Sequence, residues 1–123
     1  MKIRSEITRS HDRVWEELAL PGAVLTGQER VSVAIELRAA RSCEFCRESR
    51  SGLSAPYAVG KHDCVDSQVP ATWIELIHRL VNDPGRIHRE WVRALMNDGL
   101  TEIEYVEIAG LVSAVCVVDT FHE

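Results

Sequence analysis

The chain has 123 residues, 46% of them apolar and 27% charged, with a formal net charge of -5. That length suits one compact domain spanning residues 1–123, and the acidic balance argues against a phosphate-binding face, so nucleic acid is not an expected partner. No apolar run approaches the roughly 18 residues needed to cross a bilayer, and the start Met1-Lys2-Ile3-Arg4-Ser5-Glu6 lacks the apolar core of a signal peptide, so no membrane partner and a cytoplasmic location are expected.

Residues 1–22 form an N-terminal arm or first helix, in which Asp12-Arg13-Val14-Trp15-Glu16-Glu17-Leu18 has a helical pattern that Pro21-Gly22 stops. Thr26-Gly27-Gln28-Glu29 has the form of a capping box and opens a longer helix. Val31, Ala34, Ile35, Leu37 and Ala39 carry its apolar pattern to about Ala40. A break follows near Arg41-Ser42, and with Ser42 as N-cap a new helix begins at Cys43.

Residues 51–70 carry Gly, Pro, Ser, Asp and His without periodicity and read as a long functional loop. Trp73, Ile74, Ile77, Leu80 and Val81 then mark a helix that ends before Asn82-Asp83-Pro84-Gly85. A further amphipathic helix covers residues 87–96, with Gly99 placed as a left-handed cap. Thr101-Glu102-Ile103-Glu104, a second capping box, opens a last helix that is apolar on nearly every face from Tyr105 to Val118, as a helix buried on all sides would be. The β-branched run Val112 to Val118 is also compatible with a strand, but the cap and the length favour helix. The fold class expected from these elements is all-α.

The chemistry centres on Cys43-Glu44-Phe45-Cys46. Cysteines at i and i+3 stack on a helix, close enough for a reversible disulfide, and a first-turn position favours the thiolate. Arg47 and Arg50 lie four residues after Cys43 and Cys46 and are placed to stabilise the anions. Glu29, Glu36 and Cys43 are spaced by seven, which aims carboxylates at the dithiol and makes Glu36 a candidate proton acceptor.

Two other readings of the pair stand beside redox chemistry. It is either two small residues facing a core, or half of a Cys₃His zinc site made by Cys43, Cys46, His62 and Cys64. His78 and His88 read as surface or boundary residues, Cys116 as core packing, and Trp73, Trp91 and Phe121 as core or interface anchors. The sequence has no Gly-rich phosphate loop, nucleophile elbow or His-Glu zinc motif, so no cofactor is expected.

Leu25-Thr26-Gly27-Gln28-Glu29-Arg30, the Ala-rich helix and Cys43-Glu44-Phe45-Cys46 together resemble the core of the alkylhydroperoxidase D (AhpD) and carboxymuconolactone decarboxylase-like superfamily. The stretches Ile77 to Arg86 and Gly99 to Glu107 resemble a divergent peroxidase-related branch of it. The resemblance implies an all-α bundle of about five to six helices, assembly into homo-oligomers, and a thiol peroxidase cycle. In that cycle a peroxide is the substrate and a disulfide-reducing partner protein or small dithiol regenerates the pair. It further implies that Cys46 is the peroxidatic thiolate and Cys43 the resolving cysteine. The family pattern puts a glutamate twelve residues before the first cysteine and a histidine four after the second; Val31 and Arg50 stand there, which leaves Glu36 and His62 as substitute relay residues. A non-enzymatic or zinc-binding oligomer of the same fold is the alternative. His122-Glu123 ends the chain without a stop signal, so a domain cut from a longer enzyme is a third reading.

Overall fold

The computed structural model describes residues 2–51, 62–65 and 68–121, less the side chains of residues 2–4, 49–51 and 86. Among the described residues there are six α-helices and no strand: α1 Lys2–Leu18, α2 Gly27–Ala40, α3 Glu44–Ser51, α4 Ala71–Asn82, α5 Arg89–Asn97 and α6 Glu102–Phe121. A short 3-10 turn, Pro84–Arg86, separates α4 from α5. Much of the loop expected over residues 51–70, and the Arg50 side chain, lie outside the described residues. No described helix is long and apolar enough to cross a membrane.

Both capping boxes form. Thr26 N–H donates to Glu29 Oε1 at 2.8 Å while Glu29 N–H donates to Thr26 Oγ1 at 3.1 Å, and Thr101 and Glu104 repeat the exchange at 2.9 and 3.1 Å. This consumes Glu29, which therefore does not join the site that its seven-residue spacing suggested. Gly99 has φ 115°, the left-handed conformation that ends α5. The first helix is longer than its apolar pattern, beginning at Lys2 rather than near Asp12.

α2, α4 and α6 pack against one another around Val33, Leu37, Leu76, Ile77, Ile108 and Val115, all with no residual exposure. Each such side chain contributes about 1.5–3 kcal/mol on burial, which offsets the cost of enclosing polar groups beside them. Trp73 and Trp91 join this core. The run Val112 to Val118 is helical, and α6 is buried on one face only: Ile108, Leu111, Val112, Val115 and Val118 face inward while Ile103, Val106 and Val117 are exposed. Burial on all sides was over-read, because an apolar sequence does not itself say how many neighbours a helix has.

Long-range polar contacts fix the helices in place. Arg38 of α2 grips Asp119 of α6 through two nitrogens at 2.9 and 3.2 Å, and Arg41 adds a third contact at 3.3 Å. Glu107 of α6 accepts from Val24 and Leu25 N–H at 3.3 and 3.0 Å, pinning the α1–α2 connection. A Cβ at Gly22 would sit 1.5 Å from Glu107 Oε1, so a larger residue there has to displace the carboxylate that makes this pin. At the other end of α2, Asn82 Nδ2 donates to the Ala40 carbonyl at 2.7 Å, which brings the α2–α3 junction beside α4.

Candidate active site

The α2–α3 junction is three residues long. Ser42 and Cys43 N–H close a tight turn onto the Ala39 and Ala40 carbonyls at 3.0 and 3.1 Å, and Arg47 N–H begins the next helix on the Cys43 carbonyl at 3.1 Å. Ser42 thus still belongs to the turn that finishes α2, and Cys43, not Ser42, takes the N-cap position of α3. Its sulfur does what a serine oxygen usually does there, accepting the N–H of Cys46.

Residues 62–65 fold over that helix start. Asp63 N–H donates to Cys43 Sγ at 3.3 Å, and Asp63 Oδ2 accepts from Glu44 N–H at 3.1 Å. Val65 N–H donates to Glu36 Oε2 at 3.0 Å. His62 Nδ1 is thereby held 3.2 Å from Cys46 Sγ and 3.7 Å from Cys43 Sγ, with Phe45 edge-on to its ring. From the other side α4 presents His78, whose Nδ1 lies 3.4 Å from Cys46 Sγ.

Each histidine has a carboxylate behind it. His78 Nε2 donates to Glu36 Oε1 at 2.8 Å, and His62 Nε2 donates to Glu75 Oε2. Glu75 is itself oriented by Trp91 Nε1 at 3.1 Å and Arg79 at 3.3 Å. Glu36 occupies the buried stripe of α2 formed by Val33, Glu36, Leu37 and Ala40, so its depth follows from helical register.

The resulting set is Cys43, Cys46, His62 and His78, with Glu36 and Glu75 behind. No protein-family model, curated protein or solved structure matches the chain.

Both cysteines are free thiols and buried. Burial pushes the Cys43 thiol up, but the Cys46 and Asp63 N–H groups and His62 outweigh it, and the net shift is downward. Burial pushes Cys46 up as well; His62 opposes this and Cys43 adds to it, leaving Cys46 raised although His62 is nearer to it. The favoured thiolate is Cys43.

The histidines are driven apart in the same way. Burial disfavours the His62 imidazolium, but its contacts with Cys46, Glu75 and Cys43 carry its pKa up to about 10. Burial lowers His78, with Glu36 only partly compensating and the charge on His62 adding to the fall. Glu75, although desolvated, is held down to about 2 by His62, Trp91 and Arg79. One imidazole is thus kept protonated and its neighbour neutral, with ring centroids 4.5 Å apart.

Among the residues singled out from sequence, Cys43, Cys46 and His62 meet directly, and Glu36 reaches Cys46 through His78. Cys64 is exposed, and the fourth ligating side chain in the cluster is His78 instead. His78 was placed at a surface or boundary and is fully enclosed. Glu75 is not among the residues that the cysteine-centred spacings mark. A signal for both was present: Glu75, His78, Arg79 and Asn82 recur at i, i+3, i+4 and i+7, a polar stripe alongside the apolar one on α4. His88 is the N-cap residue of α5 and pairs with Glu90 at 3.0 Å.

Proposed function

We propose that the chain is a dithiol peroxidase of AhpD-like kind, reducing hydroperoxides through a Cys43–Cys46 disulfide. The observation that carries this reading is the pairing of two adjacent thiols with two histidines whose proton affinities are driven in opposite directions. Such a pair supplies an acid and a base for the two halves of a thiol peroxidase cycle.

In the first half the Cys43 thiolate attacks the terminal oxygen of the peroxide. The O–O bond breaks, Cys43 becomes a sulfenic acid, and the His62 imidazolium gives its proton to the departing oxygen, releasing an alcohol or water. In the second half Cys46 attacks the Cys43 sulfur, neutral His78 accepts the Cys46 proton at Nδ1, and Glu36 stabilises the imidazolium formed. The hydroxide that leaves takes that proton and departs as water. An external dithiol then reduces the disulfide, becoming oxidised itself and returning one thiolate, one thiol and a protonated His62.

A narrow cleft lined by Phe45, Cys46, His62, His78 and Arg79 reaches Cys46, and a depression lined by Arg41, Ser42, Cys43 and Arg47 reaches Cys43. The second is the approach for peroxide. The partners of this reading are a hydroperoxide, a disulfide-reducing protein or small dithiol, and further copies of the chain. Exposed Ile103, Val106 and Val117 on α6 support the last of these. The free thiols suit a reducing compartment such as the cytoplasm.

Counting free thiols after reduced protein meets hydrogen peroxide or an organic hydroperoxide tests the proposal. Two thiols should disappear and return on treatment with a dithiol; retention of both would end it. The rate should be bell-shaped in pH. It rises as the lowered Cys43 thiol ionises and falls as His62 loses its proton at about pH 10. A stopped-flow profile still climbing above that point would remove His62 as the acid.

A further inference from the structure

We propose that Cys43, Cys46, His62 and His78 also form a tetrahedral zinc site, and that metal and disulfide compete for the same two sulfurs. One ligand atom from each of the four side chains lies within 4.8 Å of the other three. Zinc binds sulfur at about 2.3 Å and imidazole nitrogen at about 2.0–2.1 Å, so a tetrahedron around it has sulfur–nitrogen edges of about 3.6 Å. Three of the four sulfur–nitrogen separations, at 3.7, 3.2 and 3.4 Å, bracket that edge, and the fourth, between Cys43 and His78, falls within the 4.8 Å limit and has to close on the ion.

The donor atoms are presented correctly. Glu75 and Glu36 occupy the Nε2 side of His62 and His78, so once the ion displaces the Nδ1 proton of His62 both rings keep their N–H on that side and turn the Nδ1 lone pair toward the sulfurs. A carboxylate behind each ligating histidine is the usual outer arrangement of a zinc centre, where it fixes ring orientation and tautomer. Two thiolates balance the charge of one divalent ion. Four ligands, of which Cys43, Cys46 and His78 are buried, leave no open coordination position, which marks a storage or locking site rather than a catalytic one.

The set differs from a Cys₃His site because Cys64 is exposed and takes no part. Zinc bound here holds both sulfurs reduced and blocks the Cys43 nucleophile. Oxidation of the loaded site by hydrogen peroxide converts two zinc thiolates, one peroxide and two protons into one disulfide, two waters and one free zinc ion. Sulfur loses two electrons and the peroxide oxygens gain them.

The site stands on the ligand set and does not depend on peroxidase turnover, so the test begins without peroxide. Reduced, metal-free full chain is titrated anaerobically with Co²⁺ and then Zn²⁺. The expected result is one Co²⁺ per chain, with thiolate-to-cobalt charge transfer and strong visible bands of four-coordinate cobalt, displaced by one Zn²⁺. Cys64→Ser should bind like the unaltered chain, Cys43→Ser should lose the charge-transfer intensity of one thiolate, and Glu75→Gln should weaken binding by about 10–100-fold without removing a ligand. Substoichiometric binding, a pale six-coordinate spectrum, or loss of binding in Cys64→Ser would overturn the site. Hydrogen peroxide added to the zinc-loaded protein should release one Zn²⁺, read with a chromophoric chelator, for every two thiols lost. Thiol loss with zinc retained, or neither change, would overturn the competition.

Discussion

Cys43→Ser is expected to reduce peroxide consumption by at least about 10³-fold, whereas Cys46→Ser should complete one attack and stop with a sulfenic acid on Cys43. The asymmetry follows from backbone geometry. Cys43 is the N-cap of α3 and its sulfur accepts N–H groups from Cys46 and Asp63, backbone donors that do not themselves titrate. Cys46 sits at the same helix start, but it relies on side chains and is raised by burial and by its neighbour's charge. The resemblance to AhpD-like proteins implied the reverse roles. Trapping with a sulfenic-acid reagent, followed by mass spectrometry of the two variants, separates the assignments: an adduct at Cys46 in Cys43→Ser, with none at Cys43 in Cys46→Ser, would restore the original order.

Glu36→Ala should cost the reduced protein about 3 kcal/mol or more, a large share of the roughly 5–15 kcal/mol that holds a domain of this size together. Glu36 and His78 are 1% and 0% exposed, so water does not replace the lost carboxylate. The substitution strands His78 Nε2–H and Val65 N–H, which donate to it at 2.8 and 3.0 Å, and opens a gap in the stripe that packs α2 on α4. The enclosed His78 donor, left unsatisfied, costs about 1–3 kcal/mol, and the gap left by the side chain adds the rest. Tm should fall by roughly 10 °C. Glu36→Gln keeps the volume and one acceptor, and should lose less than half as much. If Glu36→Ala melted within about 2 °C of the unaltered chain, the enclosed Glu36–His78 pair would not be holding α2 against α4.

Much of the helical framework was legible because its signals are local. Thr26 with Glu29 and Thr101 with Glu104 are complete within four residues, Gly99 announces its own conformation, and Arg41-Ser42 marks a real break. The dithiol was equally plain. What the sequence concealed was depth. His78 and His88 have similar local surroundings, yet one is enclosed where α4 packs on α2 and the other stands at the N-cap position of α5, where its side chain makes no capping bond. Which of them is buried depends on the pairing of two helices some forty residues apart. Glu75 meets the dithiol cluster only because His62 arrives from another segment, and no pattern within α4 contains that arrival. The same limit explains α6, whose apolar faces look alike until the position of α2 and α4 chooses one.

The short segment that carries His62 has one more property. Asp63 N–H donates to the Cys43 sulfur and its carboxylate accepts from the first amide of α3, while Val65 ties the same stretch to Glu36. Binding free energies are reciprocal, so if the charge on the sulfur tightens this segment, holding the segment must equally favour the charge. Anything that lifts residues 62–65 away removes a donor from Cys43 and the His62 imidazole beside it in one movement. On the proposed cycle the thiol's readiness to react is thus a mechanical variable, set by how firmly four residues of backbone are clamped.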